Sequence, residues 1–212
     1  MKDFPMFTTE NGAASLVLRE IPHRGDAYIT LQASQQPQKL LQECVSFCLA
    51  CGAVNIFAKG EGVEKTYPLH TRIYEMRGRA VVDGASLDSL FPVTEQTVSR
   101  WREIYNHAMQ RVDNAGTLTF LDEERILKSG GAYFVHNSGD LLGIGWMEEE
   151  KLLAIAAVRQ GMGRRVMNTL LSLVEGASVT LEVASTNVPA LRLYEKMGFI
   201  ATRELGSWYR IR

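Results

Sequence analysis

Residues 154–199, AIAAVRQGMGRRVMNTLLSLVEGASVTLEVASTNVPALRLYEKMGF, decide how the rest of this 212-residue chain is read. The apolar run Ala154–Val158 stops at Gly161-Met162-Gly163, and an amphipathic helix with arginines on its first turn follows. A second apolar alternation, Ser178–Ala184, leads to a short helix that carries Tyr194 and closes at Gly198. Together they predict strand, helix, strand, helix. A strand that ends in glycines where a helix begins offers free backbone N–H groups and the positive end of a helix dipole. Such a place binds phosphate-like anions. The second strand–helix pair then brings the polar side chains of Glu182, Asn187 and Tyr194 toward the same cleft.

Working outward, Lys151–Val158 reads as the strand entering this stretch, and GAYFVHNSGDLLGIGWM before it reads as a hairpin turning at Asn137-Ser138-Gly139-Asp140. Further upstream, Thr94 is expected to cap an amphipathic helix with Val98, Trp101, Ile104, Tyr105 and Ala108 on its apolar side. A second helix is expected around Asp122–Lys128. The small polar segment Val82–Ser89 reads as a domain boundary or a surface crossing. The N-terminal third predicts strands at 13–20 and 27–33 joined by a turn at His23-Arg24-Gly25-Asp26. A helix from Pro37 to about Ala50 comes next, then a buried strand at VNIFAKG and a strand at HTRIYEMRG. In that last strand Ile73 faces inward, with either Tyr74 or Met76 beside it depending on register. After Phe199 the chain predicts two strands, ATREL and SWYRI, around a Gly206-Ser207 turn. Antiparallel strands first and βαβ character later imply a mixed sheet with flanking helices.

Bulk properties narrow the function. Composition is that of an ordinary globular chain, 46% hydrophobic and 22% charged, so a sizeable core is expected. A formal net charge of -1 gives no global pull toward nucleic acid or a membrane surface, and neither is expected as a partner. From Ala154 to the C-terminal residue 8 basic residues face 4 acidic ones, a local excess of positive charge that suits a polyphosphate ligand. No apolar run reaches the ~20 residues a spanning helix needs. The first residues lack the apolar core of a signal peptide, and three clustered cysteines make no disulfide framework. A cytoplasmic protein is therefore expected.

Leu181-Glu182-Val183, Asn187, Ala190, Leu193-Tyr194-Glu195-Lys196 and Gly198-Phe199 form a string that resembles the GCN5-related N-acetyltransferase (GNAT) family. The resemblance covers about residues 94–212, in the order helix, helix, hairpin, strand, glycine loop, helix, strand, helix, strand, strand. It implies an α/β mixed-sheet acyl-CoA N-acyltransferase fold over residues 86–212, preceded by an added α+β lobe over residues 1–85. That lobe is either a degenerate half-copy of the same unit or an unrelated extension. The family's usual loop is Gln/Arg-x-x-Gly-x-Gly/Ala, whereas here Val158 holds the leading position and Arg159 and Gln160 follow it. The loop is either shortened, with one of these two substituting, or partly degenerate.

By the same resemblance, acetyl-CoA is the co-substrate and an amine, not identified by the sequence, is the acceptor. The pantetheine arm would run along Ile155, Ala156 and Ala157, with N–H groups near Ala156–Ala157 polarising the thioester carbonyl. The pyrophosphate would sit over Val158, Arg159, Gln160, Gly161, Met162, Gly163 and Arg164. Asn187 would hold the pantetheine or a bridging water. Tyr194 would contact the cofactor and protonate the departing thiolate, and Glu182 would act as base, through water. Arg164 and Arg165 oppose the helix dipole, so nearby phosphates are the expected reason for them. No metal and no covalent enzyme intermediate are implied, and the oligomeric state is left open. The alternative is a CoA-binding or regulatory module whose catalysis has lapsed.

One rival motif is Cys44, Cys48 and Cys51, whose C-x3-C-x2-C spacing resembles that of the radical S-adenosylmethionine enzymes. These cysteines lie at helical spacing in an apolar run with Leu41 and Val45, where cysteine serves as a small hydrophobe. His107, His136 and the tryptophans 101, 146 and 208 read as surface or core residues rather than as site residues.

Overall fold

The computed structural model describes residues 5–81 and 88–212; Val82–Leu87, most of the segment read as a boundary, lie outside them. The elements are β1 Met6–Thr9, β2 Gly12–Val17, α1 Ile21–Arg24, β3 Asp26–Ser34, α2 Pro37–Ala50, β4 Asn55–Lys59, α3 Val63–Thr66, β5 Leu69–Arg79 and β6 Ser89–Pro92. There follow α4 Val98–Met109, α5 Phe120–Ser129, β7 Ala132–Asn137, β8 Asp140–Glu148, β9 Lys151–Ala157, α6 Gly163–Leu171, a 3-10 turn Ser172–Val174, β10 Ser178–Ala184, α7 Val188–Lys196 and β11 Ile200–Arg210. The chain divides into two compact units, Met1–Arg72 with Gly206–Arg212, and Ile73–Leu205.

In the first unit, β3 and β4 run parallel with α2 as the crossover, and β1 and β2 extend the sheet antiparallel from β3. The C-terminal end of β11 completes it, Tyr209 and Arg210 pairing antiparallel with Ala58 and Phe57. Pro37 opens α2 at its first position, where a missing N–H costs nothing. The helix buries Leu40, Leu41, Cys44 and Cys48 against Ala27, Ile29 and Ile56. Burial raises the Cys44 thiol to about 12 and the Cys48 thiol to about 11. Both act as core hydrophobes, while Cys51 is exposed.

In the second unit the strand order is β11-β5-β10-β9-β8-β7-β6. One face carries a core of Met76, Val166, Met167, Leu170, Leu181, Val183, Tyr194 and Phe199. The other carries Trp101, Ile126, Ile144, Trp146, Ala154 and Ala156 beneath α4 and α5. Gly143 and Gly145 let α6 approach β8. An added Cβ at Gly145 would lie 2.2 Å from Leu170, and one at Gly143 would lie 2.8 Å from Val166. That closeness buries Val166, Met167, Leu170 and Leu171, each worth roughly 1.5–3 kcal/mol.

The structure departs from the sequence reading in several places. The His23–Asp26 turn is a one-turn helix, α1, ended by Gly25 in the left-handed region. The helix expected from Thr94 begins a turn later at Val98, because Thr94 and Thr97 bond each other in a preceding turn. Cys51 leaves the buried stripe because the helix stops at Ala50. After Phe199 there is one long strand, not two. Gly206 is not among the positive-φ glycines, so the extended backbone runs straight through it. The strand antiparallel to β10 is β5, from far upstream.

Gly145→Ala should lower stability by about 1–3 kcal/mol, the usual cost of overpacking, read as a lowered denaturation midpoint. In the folded protein a maleimide should label Cys51 alone; Cys44 and Cys48 should react only once denaturant unfolds the chain.

Candidate active site

The site is organised by a divergence of two parallel strands. β9 and β10 register at only two pairs, Thr180↔Lys151 and Leu181↔Leu152. Beyond them β10 continues on β5 as far as Ala184↔Ile73, and β9 continues on β8 as far as Ala157↔Gly143. A bulge starts the separation: Trp146 pairs with Ala154 and Met147 with Leu152, which leaves Leu153 without a partner. Bulges redirect a strand and cluster beside active sites. Val158 N–H donates to the Leu142 carbonyl at 2.9 Å. By strand alternation Ala156 faces β8 as well, while Ile155 and Ala157 turn their N–H and C=O groups into the wedge. Of the two donors expected at Ala156–Ala157, the amide of Ala157 therefore faces the wedge.

At the mouth of the wedge stands the N-terminus of α6. Gly161 takes φ +86°, the helix starts at Gly163 without a side-chain cap, and no acidic residue lies in its first turn. Val158, Arg159, Gln160, Gly161 and Arg164 are all exposed, and Met162 and Gly163 are half-buried. Free first-turn amides with an open approach make an anion site. Arg159 holds Asp140 at 3.4 and 3.5 Å, an exposed and loose pair.

Arg165 has another purpose than the one expected. Its guanidinium grips Asp88 at 3.1 and 2.5 Å. Asp88 also accepts from Asn137 Nδ2 at 3.0 Å, and its N–H donates to Thr169 Oγ1 at 3.3 Å. A buried carboxylate needs such partners. The pair anchors the chain ahead of β6 to α6, so phosphates are not required to explain Arg165.

Asn187 caps α7, its Oδ1 accepting from the Ala190 N–H at 3.4 Å. No protein partner for its Nδ2 occurs among the described residues. The end of α7 explains the LYEKMGF run. Phe199 N–H donates to the Tyr194 carbonyl and Gly198 N–H to the Glu195 carbonyl, with Gly198 at φ +83°. This is a Schellman ending, and the rings of Tyr194 and Phe199 pack at 6.2 Å as its hydrophobic contact. Phe199 in turn fills the space over Gly78, where a Cβ would lie 2.6 Å from the ring. Tyr194 is 6% exposed, and burial pushes its phenol well above the ordinary value.

Glu182 lies on the face of β10 opposite Leu181 and Val183, which pack with Tyr194. Acid and base candidates thus belong to opposite faces of one strand, both beside the divergence. The Glu182 carboxylate binds Lys151 Nζ at 2.6 Å, and both side chains are about half exposed.

Residues 90–199 match the family model described as acetyltransferase (GNAT) family. The chain belongs to that family. Solved structures share the fold at low identity. A functionally unknown conserved protein from Staphylococcus epidermidis is 12% identical with a TM-score of 0.57, over 98% of this chain and 93% of that one. A GCN5-related N-acetyltransferase from Sphaerobacter thermophilus is 12% identical with a TM-score of 0.54, over 93% and 75%. One from Anabaena variabilis is 13% identical with a TM-score of 0.60, over 94% of this chain and 59% of that one. No curated protein matches the chain. Among the described residues, no helix is long and apolar enough to cross a membrane.

Within this GNAT fold, several supporting residues escape sequence reading: the bulged Leu153, the glycines 78, 143 and 145, Lys151 and Asp88. Only the glycines left a signal, as interruptions of apolar strands that invite close approach. Arg165→Gln should lower the melting temperature by a few degrees and leave acetyl-CoA affinity unchanged in calorimetry; a loss of affinity alone would contradict the anchoring role.

Proposed function

We propose that the protein is an acetyl-CoA-dependent N-acetyltransferase that moves an acetyl group onto a primary amine by direct attack. The observation that carries this is the wedge between β9 and β10, with an uncapped helix N-terminus at its mouth and Tyr194 and Glu182 on either face. These features fit the cofactor's shape and chemistry: backbone groups of Ile155 and Ala157 for the amide-bearing pantetheine, and α6 amides with Gly161 and Arg164 for the pyrophosphate. Nδ2 of Asn187 is a donor for the pantetheine or a water on it. When bound, the thioester supplies an activated acetyl carbon.

The chain's residues divide the work. Glu182, through water, takes a proton from the acceptor ammonium, so that the neutral nitrogen attacks. As the N–C bond forms and the C–S bond breaks, a wedge-facing amide such as that of Ala157 stabilises the charge on the carbonyl oxygen. Tyr194, kept protonated by burial, donates to the sulfur. Glu182, having passed the first proton to solvent, takes the further one that the nitrogen loses in becoming an amide, and Tyr194 recovers from solvent the proton it gave to the sulfur, so the overall step is balanced.

Tyr194→Phe should lower kcat by roughly 10²-fold or more while changing the Kd for acetyl-CoA little, measured by thiol release and calorimetry. Because burial raises the phenol, activity should show no loss from its ionisation as pH rises to about 10. Binding of acetyl-CoA without thiol release on any amine would favour the lapsed, CoA-binding reading instead.

A further inference from the structure

β5 presents two faces to different surroundings. Met76 and Gly78 turn to the core around Phe199, so Glu75, Arg77 and Arg79 lie on the opposite face. Their antiparallel partners on β10 are Glu182, Thr180 and Ser178, in that order. The face that carries Glu182 therefore continues directly onto β5. α4 packs on β8 and β9 and α5 on β7.

The charges on this face are unequal in their satisfaction. Glu182 is held by Lys151, and Glu75 by Arg203 at 3.1 Å and by Thr202. The side chains of Arg77 and Arg79 are exposed and make no hydrogen bond or ion pair among the described residues. Two neighbouring guanidinium groups on one strand face repel each other, and nothing on β10 opposite them is charged. The face is thus cation-compensated at the Glu75–Glu182 end and left with two unmatched positive charges at the other. Arginine is suited to forked recognition of carboxylate or phosphate.

We propose that Arg77 and Arg79 are specificity-determining residues that bind an anionic group on the acceptor, whose amine reacts beside Glu182. This rests on the acetyltransferase reading above and adds the acceptor class: a molecule bearing both a primary amine and a carboxylate or phosphate. Same-face residues on a strand are about 6.6–6.8 Å apart, so amine and anion are separated by roughly 7–13 Å. A free α-amino group next to its own carboxylate is too short for this; an ω-amino acid, a lysine-like side chain or a short peptide spans it.

The test compares 6-aminohexanoate, an aminoalkyl phosphate of equal length and hexylamine as acceptors, using thiol release from acetyl-CoA. The better of the two anionic acceptors should exceed hexylamine in kcat/KM by about tenfold or more, chiefly through KM, and which one does so identifies the anion. In the double variant Arg77→Gln, Arg79→Gln that ratio should fall toward one, with the melting temperature as a check on folding, and Arg77→Lys should retain part of it. A ratio near one in the native protein, or an unchanged ratio in the folded double variant, overturns the assignment alone. Thiol release with none of the three amines overturns this proposal, and the transfer reading falls with it only when a wider amine panel also releases no thiol.

Discussion

Everything at the site depends on β9 and β10 being kept apart. Parallel neighbours normally stay paired, because an unpaired strand edge leaves backbone groups unsatisfied. Here each strand is committed elsewhere: β10 pairs with β5 over its whole length, and β9 pairs with β8 past the bulge at Leu153. Past their two registered pairs the strands follow these outer ladders apart, and their inner edges part company. The wedge is an edge held open by the ladders on its outer sides, and the edge groups of Ile155 and Ala157 remain for a ligand.

The helices complete what the strands begin. α6 can set its N-terminus at the wedge because Gly143 and Gly145 admit it close to β8, and because Arg165 and Thr169 tie it to Asp88. α7 delivers Tyr194 through a Schellman ending that locks the last turn, with Phe199 seated over Gly78. In the first unit the equivalent parallel pair, β3 and β4, stays in register from Asp26↔Asn55 to Thr30↔Lys59. Its helix starts with Pro37, which has no N–H to offer. The same βαβ connection is thus closed there where the second unit is open.

Much of this was legible in the sequence where the cause is local. The stripe of α2, the hairpin with Ser138 and Gly139 at positive φ, and the Leu181–Phe199 run each follow from spacing within a few residues. What was hidden depends on partners far apart in the chain. The exchange that puts β5 beside β10 leaves no trace in local alternation, and a glycine and serine at 206–207 suggested a turn that the ladder overrides. Arg165 looked like a phosphate ligand only because Asp88 could not be seen next to it. Glu75, Arg77 and Arg79 seemed to belong to a separate lobe until the register set them against Glu182, Thr180 and Ser178.

The central claim is that acetyl-CoA lies along the free edge of β9 and under the start of α6. Amide hydrogen exchange with and without acetyl-CoA tests it most directly. Exchange should slow at Ile155 and Ala157 and over residues 161–165 in the presence of acetyl-CoA, with Ala156 already protected by β8 and unchanged. Protection confined to other segments, or none along β9, would contradict it.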